Sequence, residues 1–280
     1  MQQLLHLSVL ASGSSGNAAV VEGPEGSILI DCGISYRQMR ERADEVGCDL
    51  DRIGAVFVTH EHSDHVSGLS VIANKFDVPF FSTVGTVSGR SYLSQIPFTL
   101  IDHDMTLDVC GMTVESFPTS HDVADPMGFR FALYSEMEED GSGGDLLDAI
   151  GWMTDTGYVT DAALDGLYGV RILGIESNHD VEMLKKGPYP AFLKKRILSP
   201  FGHLSNDQCA EVLPSLVTRD TETVVALHLS EENNRPAVCV RTLAAAVGAE
   251  VNPLNWCEAS TDDGRLWIAA ASQDEPMRVW

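Results

Sequence analysis

Four side chains able to bind a divalent cation fall within six positions of this chain. They are His60, His62, Asp64 and His65, in the segment Thr59-His-Glu-His-Ser-Asp-His65. Imidazole nitrogen together with carboxylate oxygen suits borderline and hard divalent metals. A lone histidine in such a place is ordinarily a satisfied core or surface residue. The spacing His-x-His-x-Asp-His after the apolar run Ala55-Val-Phe-Val-Thr59 is not explained that way. The four cannot share one face of a helix or a strand. They converge if the strand ends in a turn and a helix starts within the motif, which also places Asp64 where a helix N-terminus favours negative charge.

Further donors stand where other strands should end. His121 and Asp122 follow Met112-Thr-Val-Glu-Ser-Phe117, Asp155 follows Ala149-Ile-Gly-Trp152, and His228 closes Val224-Val-Ala-Leu-His228. This gives His60, His62, His121 and Asp155 for one cation, and Asp64, His65, Asp155 and His228 for a second. Two cations about 4 Å apart generate a hydroxide nucleophile and stabilise both the entering and the leaving oxygen of a hydrolysis.

The elements that must position these groups are legible as apolar runs. Strands are expected at about 4–11, 18–22, 27–31, 55–59, 79–82, 98–101, 105–118, 128–135, 149–154, 170–175 and 223–228. Helices are expected at about 35–47, 64–76, 190–197, 205–216 and 236–247. The acidic, glycine-rich stretch 136–145 reads as a hairpin tip. Strand runs with helices between them predict an α/β sandwich of central sheets covered by helices. The 280 residues, with 44% hydrophobic content, suffice for one domain over 1–280 with its own core.

No run approaches the roughly twenty apolar residues of a membrane span, and the N-terminal stretch lacks a basic segment, so a cytoplasmic location is expected. Six cysteines without a C-x-x-C pair read as reduced, mostly buried thiols. The net charge of −23 argues against a long polyanion as partner unless basic groups are locally concentrated. Lys194-Lys-Arg196 is such a concentration and the candidate nucleic-acid contact. No obligate protein partner is evident.

The order His-x-His-x-Asp-His, His, Asp, His resembles the metallo-β-lactamase superfamily. Leu10-Ala-Ser-Gly-Ser-Ser-Gly-Asn17, Glu176-Ser-Asn-His-Asp180, Gly202-His-Leu-Ser-Asn206 and His228-Leu-Ser-Glu-Glu-Asn-Asn234 resemble its YycJ/WalJ-like branch, from about residue 6 to about residue 240. The resemblance implies an αββα sandwich, two central mixed sheets flanked by helices, with the site at one edge. It implies a phosphodiesterase or exonuclease acting on DNA or RNA, with two divalent ions, zinc, manganese or iron.

By the same resemblance Asp64, Glu176 and His203 are the catalytic candidates. Glu176 and His203 match a carboxylate–imidazole pair of RNase Z-type phosphodiesterases, which suits a general acid for a leaving alkoxide. The alternative for His203 is a loop residue ahead of a helix capped by Ser205 or Asn206. Asp31 corresponds to an acid that braces the ligand loop. Ser14, Ser15, Asn17, His179, Ser205, Asn206 and Asn233 are supporting or substrate-binding candidates, while His6 and His103 look like bystanders. One departure stands out: Glu231 follows His-Leu-Ser where the branch often has a basic residue. A carbonyl hydrolase for lactam, lactone or thioester on the same metal site is the alternative activity, and a metal-bound but inactive binding module is a further one.

Overall fold

A computed structural model describes residues 4–135 and 144–280. One sheet holds β1 (His6–Ala11), β2 (Ala18–Glu22), β3 (Ser27–Ile30), β4 (Ile53–Phe57), β5 (Phe80–Ser82) and β6 (Phe98–Leu100). It is extended beyond β1 by β16 (Met277–Val279). The other sheet holds β7 (Thr106–Val109), β8 (Met112–Pro118), β9 (Met127–Tyr134), β10 (Leu146–Met153), β11 (Ile172–Glu176) and β12 (Thr223–Leu227). The late strands β13 (Glu250–Val251), β14 (Glu258–Ser260) and β15 (Trp267–Ala270) complete it, in the order β13-β14-β15-β12-β11-β10-β9-β8-β7.

Alternation along the strands divides the apolar side chains among three cores. Leu7, Ile30, Phe57, Phe129, Trp152 and Leu227 meet between the sheets. The intervening residues Leu29, Val56 and Val58 face the other way and pack with Met39, Ala43, Leu69 and Ile72. These come from α1 (Tyr36–Val46) and α3 (Leu69–Ile72), with Val66 of α2 (Ser63–Val66) beside them. Across the second sheet Val224 and Ala226 meet Leu167, Leu213 and Leu243. Those belong to α5 (Asp161–Leu167), α8 (Asn206–Leu216) and α9 (Pro236–Val247). Strands buried on both faces read as continuous apolar runs. The result is the αββα sandwich.

The parallel neighbours β3, β4 and β5, and likewise β10, β11 and β12, all end on one side. Ligand sites of open sheets form beyond such carboxyl ends. Three of the four non-glycine residues with positive φ among the described residues sit there: Asp31 (58°), Asp155 (52°) and His228 (55°). Each turns the chain within one or two residues of a strand end, at a cost of order 1–3 kcal/mol that the surrounding fold must offset.

Several elements differ from expectation. The helix expected at 64–76 is α2 and α3, interrupted at Gly68, whose Cβ would lie 2.3 Å from the Ile34 carbonyl oxygen. The long strand expected at 105–118 is a hairpin, β7 and β8, turned at Cys110 (φ 57°) and Gly111 (φ 73°). Positive φ at both residues is the tight two-residue turn that matches strand twist. Residues 136–143 of the expected hairpin tip lie outside the described residues, and Leu146 of β10 pairs with Tyr134 of β9 beside them. Three short helices, α4 (Val84–Gly89), α6 (Val181–Lys186) and α5, and the strands after 248 were not expected. Between α6 and α8 lies α7 (Ala191–Ile197). Among the described residues no helix is long and apolar enough to cross a membrane.

One buried ion pair ties the sheets at the end away from the site. Arg171 meets Asp148 through Nε–Oδ1 (2.8 Å) and Nη2–Oδ2 (2.9 Å), and also donates to the Leu5 and Trp280 carbonyl oxygens. Asp148 Oδ2 accepts the Leu5 amide at 2.7 Å. Asp148→Ala leaves the buried guanidinium with only exposed Glu222, 3.5 Å from Nη1, as a carboxylate partner and is expected to lower unfolding free energy by about 3–5 kcal/mol in urea. Asp51→Ala, which removes the partner of exposed Arg40, should cost under about 1 kcal/mol. Equal effects would remove the assigned importance of the buried pair.

Candidate metal centre

The strand end at β4 leads directly into the His-rich turn. Val58, Thr59 and His60 lead out of the strand, and His62 is the residue ahead of α2, which places Asp64 in its first turn. The turn is held from outside. Gly33 lies so close to it that a Cβ there would meet the Asp64 carbonyl oxygen at 1.7 Å. Asn17 donates its backbone N–H to that same oxygen at 2.7 Å, and its side-chain amide contacts His65 Nε2 at 3.1 Å.

The imidazoles are oriented through their second nitrogens. His65 Nδ1 donates to Asp31 Oδ2 (2.7 Å), and Asp31 also accepts the Thr59 amide and hydroxyl at 2.8 Å each. Because the Thr59 hydroxyl donates to Asp31, it accepts from His60 Nδ1 at 3.0 Å. His121 Nδ1 donates to the Gly202 carbonyl oxygen (2.9 Å), and His228 Nδ1 to Glu176 Oε1 (3.0 Å). Each of these four rings therefore turns Nε2 inward as a lone-pair donor, the arrangement that carboxylate or carbonyl partners give to metal-binding histidines.

The inward atoms form overlapping groups. Donor atoms of His60, His62 and His121 lie within 4.8 Å of one another, and so do those of Asp64, His65, Asp155 and His228. Asp155 stands between the two: its Oδ2 is 3.2 Å from His65 Nε2, and its Oδ1 is 3.8 Å from His121 Nε2. A third group joins Asp155, Glu176, His203 and His228.

This donor set fits divalent metal. His60 Nε2 and His228 Nε2 are buried without a hydrogen bond, a costly state for a polar atom unless something else engages it. Burial by itself would raise the Asp155 carboxyl, yet His228 and His65 hold it well below the usual carboxylate range. Burial would lower His228, and Asp155, Asp64 and Glu176 instead raise it to about 10. The carboxylates demand positive charge at this place, which a divalent cation supplies.

Glu176 and His203 form the adjoining pair. His203 Nδ1 lies 2.8 Å from Glu176 Oε1, the oxygen that also faces His228, while Glu176 Oε2 accepts the Thr156 and Leu204 amides. Burial favours the neutral acid, but His203 and His228 hold the Glu176 carboxyl at about 2. A cavity of about 220 Å³ opens onto the cluster, walled by Asp64, His121, Asp155, His203 and His228 on one side and Tyr189, Leu193 and Arg196 on the other.

The remaining sequence candidates divide by position. Ser14 lines the cavity; Ser15 is exposed and bonds Gln273 through its amide. Asn17 is buried under the His-rich turn. Ser205 caps α8 in a reciprocal capping box with Gln208, as one of the two readings of that segment expected. Asn206 is buried behind the cavity, bonded to Ser177 and Asn234. His179 and Asn233 are fully buried and do not line the cavity, and burial holds His179 at about 4.

The period of two after β11 explains this division. Glu176 and Asn178 point to the site, while Ser177 turns to Asn206 and Cys239 behind it. Asn178 was not singled out from sequence; it lines the cavity and donates to the His228 carbonyl oxygen at 2.7 Å. Thr59, Gly33 and the Asp122–Arg196 pair were also missed, and only alternation along 176–178 offered a signal.

Residues 11–86 match the family model of the metallo-beta-lactamase superfamily. The fold is similar to that of YhfI, a metallo-beta-lactamase fold protein from Bacillus subtilis, with a TM-score of 0.66 at 13% identity over 99% of this chain and 100% of that one. Fold and site thus define a metallo-β-lactamase-fold hydrolase with a divalent-metal donor set. The sequence is 36% identical over 237 residues to exodeoxyribonuclease YycJ of Bacillus anthracis, covering 82% of this chain and 84% of that one. It is 34% identical to exodeoxyribonuclease WalJ of Streptococcus pneumoniae over 81% of this chain and 82% of that one. The chain belongs to the YycJ/WalJ family.

If Asp31 orients His65 and His60 for metal, Asp31→Ala should weaken zinc affinity about 10- to 100-fold in competition with a chromophoric chelator. Unchanged affinity would sink that role for Asp31.

Proposed function

We propose that this protein is a phosphodiesterase that hydrolyses DNA with two divalent cations, one at His60, His62, His121 and Asp155 and the other at Asp64, His65, Asp155 and His228. Manganese, zinc and iron all suit this mixed nitrogen and oxygen set. The names of the YycJ and WalJ relatives support DNA as substrate, and six free thiols support a cytoplasmic location. The residues of both sheets that meet in one central core support reading 1–280 as one domain.

The single observation that carries the phosphodiesterase reading is the 2.8 Å contact between His203 Nδ1 and Glu176 Oε1 at the cavity wall. The bound cations supply Lewis acidity toward a phosphoryl oxygen and lower the pKa of water. The chain's own groups do the rest. Glu176 holds His203 through Nδ1 and so aims its Nε2, from which the imidazolium gives a proton to the departing sugar oxygen. The Glu176 carboxylate stays ionised, because two backbone amides and two imidazoles surround it. Asp155 and the tautomer-fixed histidines hold the reacting region rigid, so little reorganisation is left to the moment of reaction. An activated ester or a thioester leaves without a proton, so the pair favours the phosphodiester over those carbonyl substrates.

The test is hydrolysis of 5′-labelled single- and double-stranded DNA and RNA with manganese, zinc or chelator. Metal-dependent shortening of DNA that Asp64→Ala abolishes is expected. His203→Ala should slow DNA cleavage by about 10²- to 10⁴-fold while largely sparing bis(p-nitrophenyl) phosphate, whose leaving group needs no proton. Equal loss on both substrates would refute the general-acid assignment.

A further inference from the structure

The segment that follows β15 crosses from the second sheet to the first at the site end. Ala271 N–H donates to the Ala226 carbonyl oxygen of β12 at 2.9 Å, and the Ser272 carbonyl oxygen accepts the Ser12 amide just past β1 at 3.0 Å. The next residue is gripped from behind by Arg42 of α1, whose side chain is mostly buried. Arg42 Nη1 donates to the Gln273 carbonyl oxygen (2.7 Å) and to the Leu10 carbonyl oxygen (3.1 Å), and its Nη2 meets Asp274 Oδ1 at 3.1 Å. With its backbone fixed in this way, Gln273 sends its half-buried side chain to one place, the loop Gly13-Ser-Ser-Gly16.

There the carboxamide makes two opposed bonds. Its Oε1 accepts the Ser15 amide and its Nε2 donates to the Gly16 carbonyl oxygen, each at 2.9 Å. A Cβ at residue 13 would lie 2.6 Å from the same Oε1, so the glycine leaves the space that the carboxamide fills. The rest of the loop closes on itself and on the His-rich turn. Gly13 N–H donates to Asn17 Oδ1, Gly16 N–H to the Gly13 carbonyl oxygen, and Asn17 N–H to the Asp64 carbonyl oxygen. From Gly13 to Asn17, Ser14 alone keeps its amide without a hydrogen bond among the described residues, and its hydroxyl is unbonded too. Ser14 lines the cavity together with Asp64 and His228. An unpaired hydroxyl on a loop so fully tied down is a preorganised donor for an anionic oxygen in that cavity.

We propose that Gln273 is a positioning residue for the reaction, setting the Gly13–Gly16 loop so that the Ser14 hydroxyl donates to a phosphoryl oxygen of the substrate. The proposal rests on the phosphodiesterase reading for the chemistry of that substrate. Gln273 is not among the residues that line the cavity, so it acts only through the loop. The metal donors lie outside its reach, because the Asn17 end of the loop is held separately. Asn17 N–H bonds the Asp64 carbonyl oxygen at 2.7 Å, and Gly33 N–H bonds the Asn17 carbonyl oxygen at 2.8 Å. The phosphoryl group is common to DNA and to a small diester, so the contact serves both.

The test is a double-variant cycle on the full chain loaded with manganese. Ser14→Ala and Gln273→Ala are each expected to lower kcat/KM about five- to tenfold, for DNA and for bis(p-nitrophenyl) phosphate alike. The double variant should be no more than about twofold slower than Ser14→Ala, because the second change removes the support of a hydroxyl already gone. Binding of inorganic phosphate to the manganese-loaded chain, followed by calorimetry, should weaken in the same non-additive pattern. Manganese affinity of Gln273→Ala should match wild type. Asp274→Ala removes the exposed partner of Arg42 but leaves its two carbonyl contacts, and should match wild type in every assay. Losses that multiply in the double variant, wild-type turnover by Gln273→Ala, or manganese affinity that falls as far as turnover does would each overturn the proposal. If the wild type hydrolyses neither substrate, the phosphodiesterase reading falls by itself, and the phosphate titration decides the role of Gln273. Non-additive weakening by the two single variants would uphold it, and phosphate that fails to bind, or binds every variant equally, would end it.

Discussion

A buried carboxylate surrounded by imidazoles is the constraint on which the site depends. Asp155 has four histidines within 3.8 Å: His65, His228, His203 and His121. A charge so removed from water must be compensated at short range, so every element bringing an imidazole to it is fixed relative to the others. Those imidazoles come from α2, from the ends of β8 and β12 and from the loop ahead of α8. Each is fastened behind by a second partner: Asp31, Gly202 or Glu176. The geometry at Asp155 is therefore set by the packing of both sheets, and a shift of either sheet against the other would be felt there first.

Much of this was legible in the sequence, for identifiable reasons. Sandwich strands are buried on both faces, so β3, β4 and β12 appear as unbroken apolar runs that end at donors. The long helices α1, α8 and α9 have caps or amphipathic stripes that declare their ends. What escaped notice lacks such signals. α4 holds two glycines in six residues, β13 has two residues, and the strands after Gly248 mix polar and apolar positions. The β7–β8 turn places a cysteine at positive φ, which composition does not announce.

Within the site, residue type identified the donors but not their supports. Thr59 acts because its hydroxyl can donate to Asp31 and accept from His60 at once, a role visible only when the three meet in space. His179 and Asn178 illustrate the converse. The histidine is the more reactive type, but the alternation of an extended chain turns the asparagine toward the cavity. Asp122 likewise gains its meaning from Arg196, 74 residues away.

The pairing of β16 with β1 has a consequence for the order of assembly. Val279, Arg278 and Met277 are the partners of Leu7, Ser8 and Val9. During synthesis the β1 edge of the first sheet waits with unpaired amides and carbonyls until β16, far along the chain, has been made. β15 joins β12 only shortly before. The nascent chain thus carries an open, apolar strand edge for as long as β16 is missing, and such an edge is where a chaperone would bind or a neighbouring nascent chain would pair.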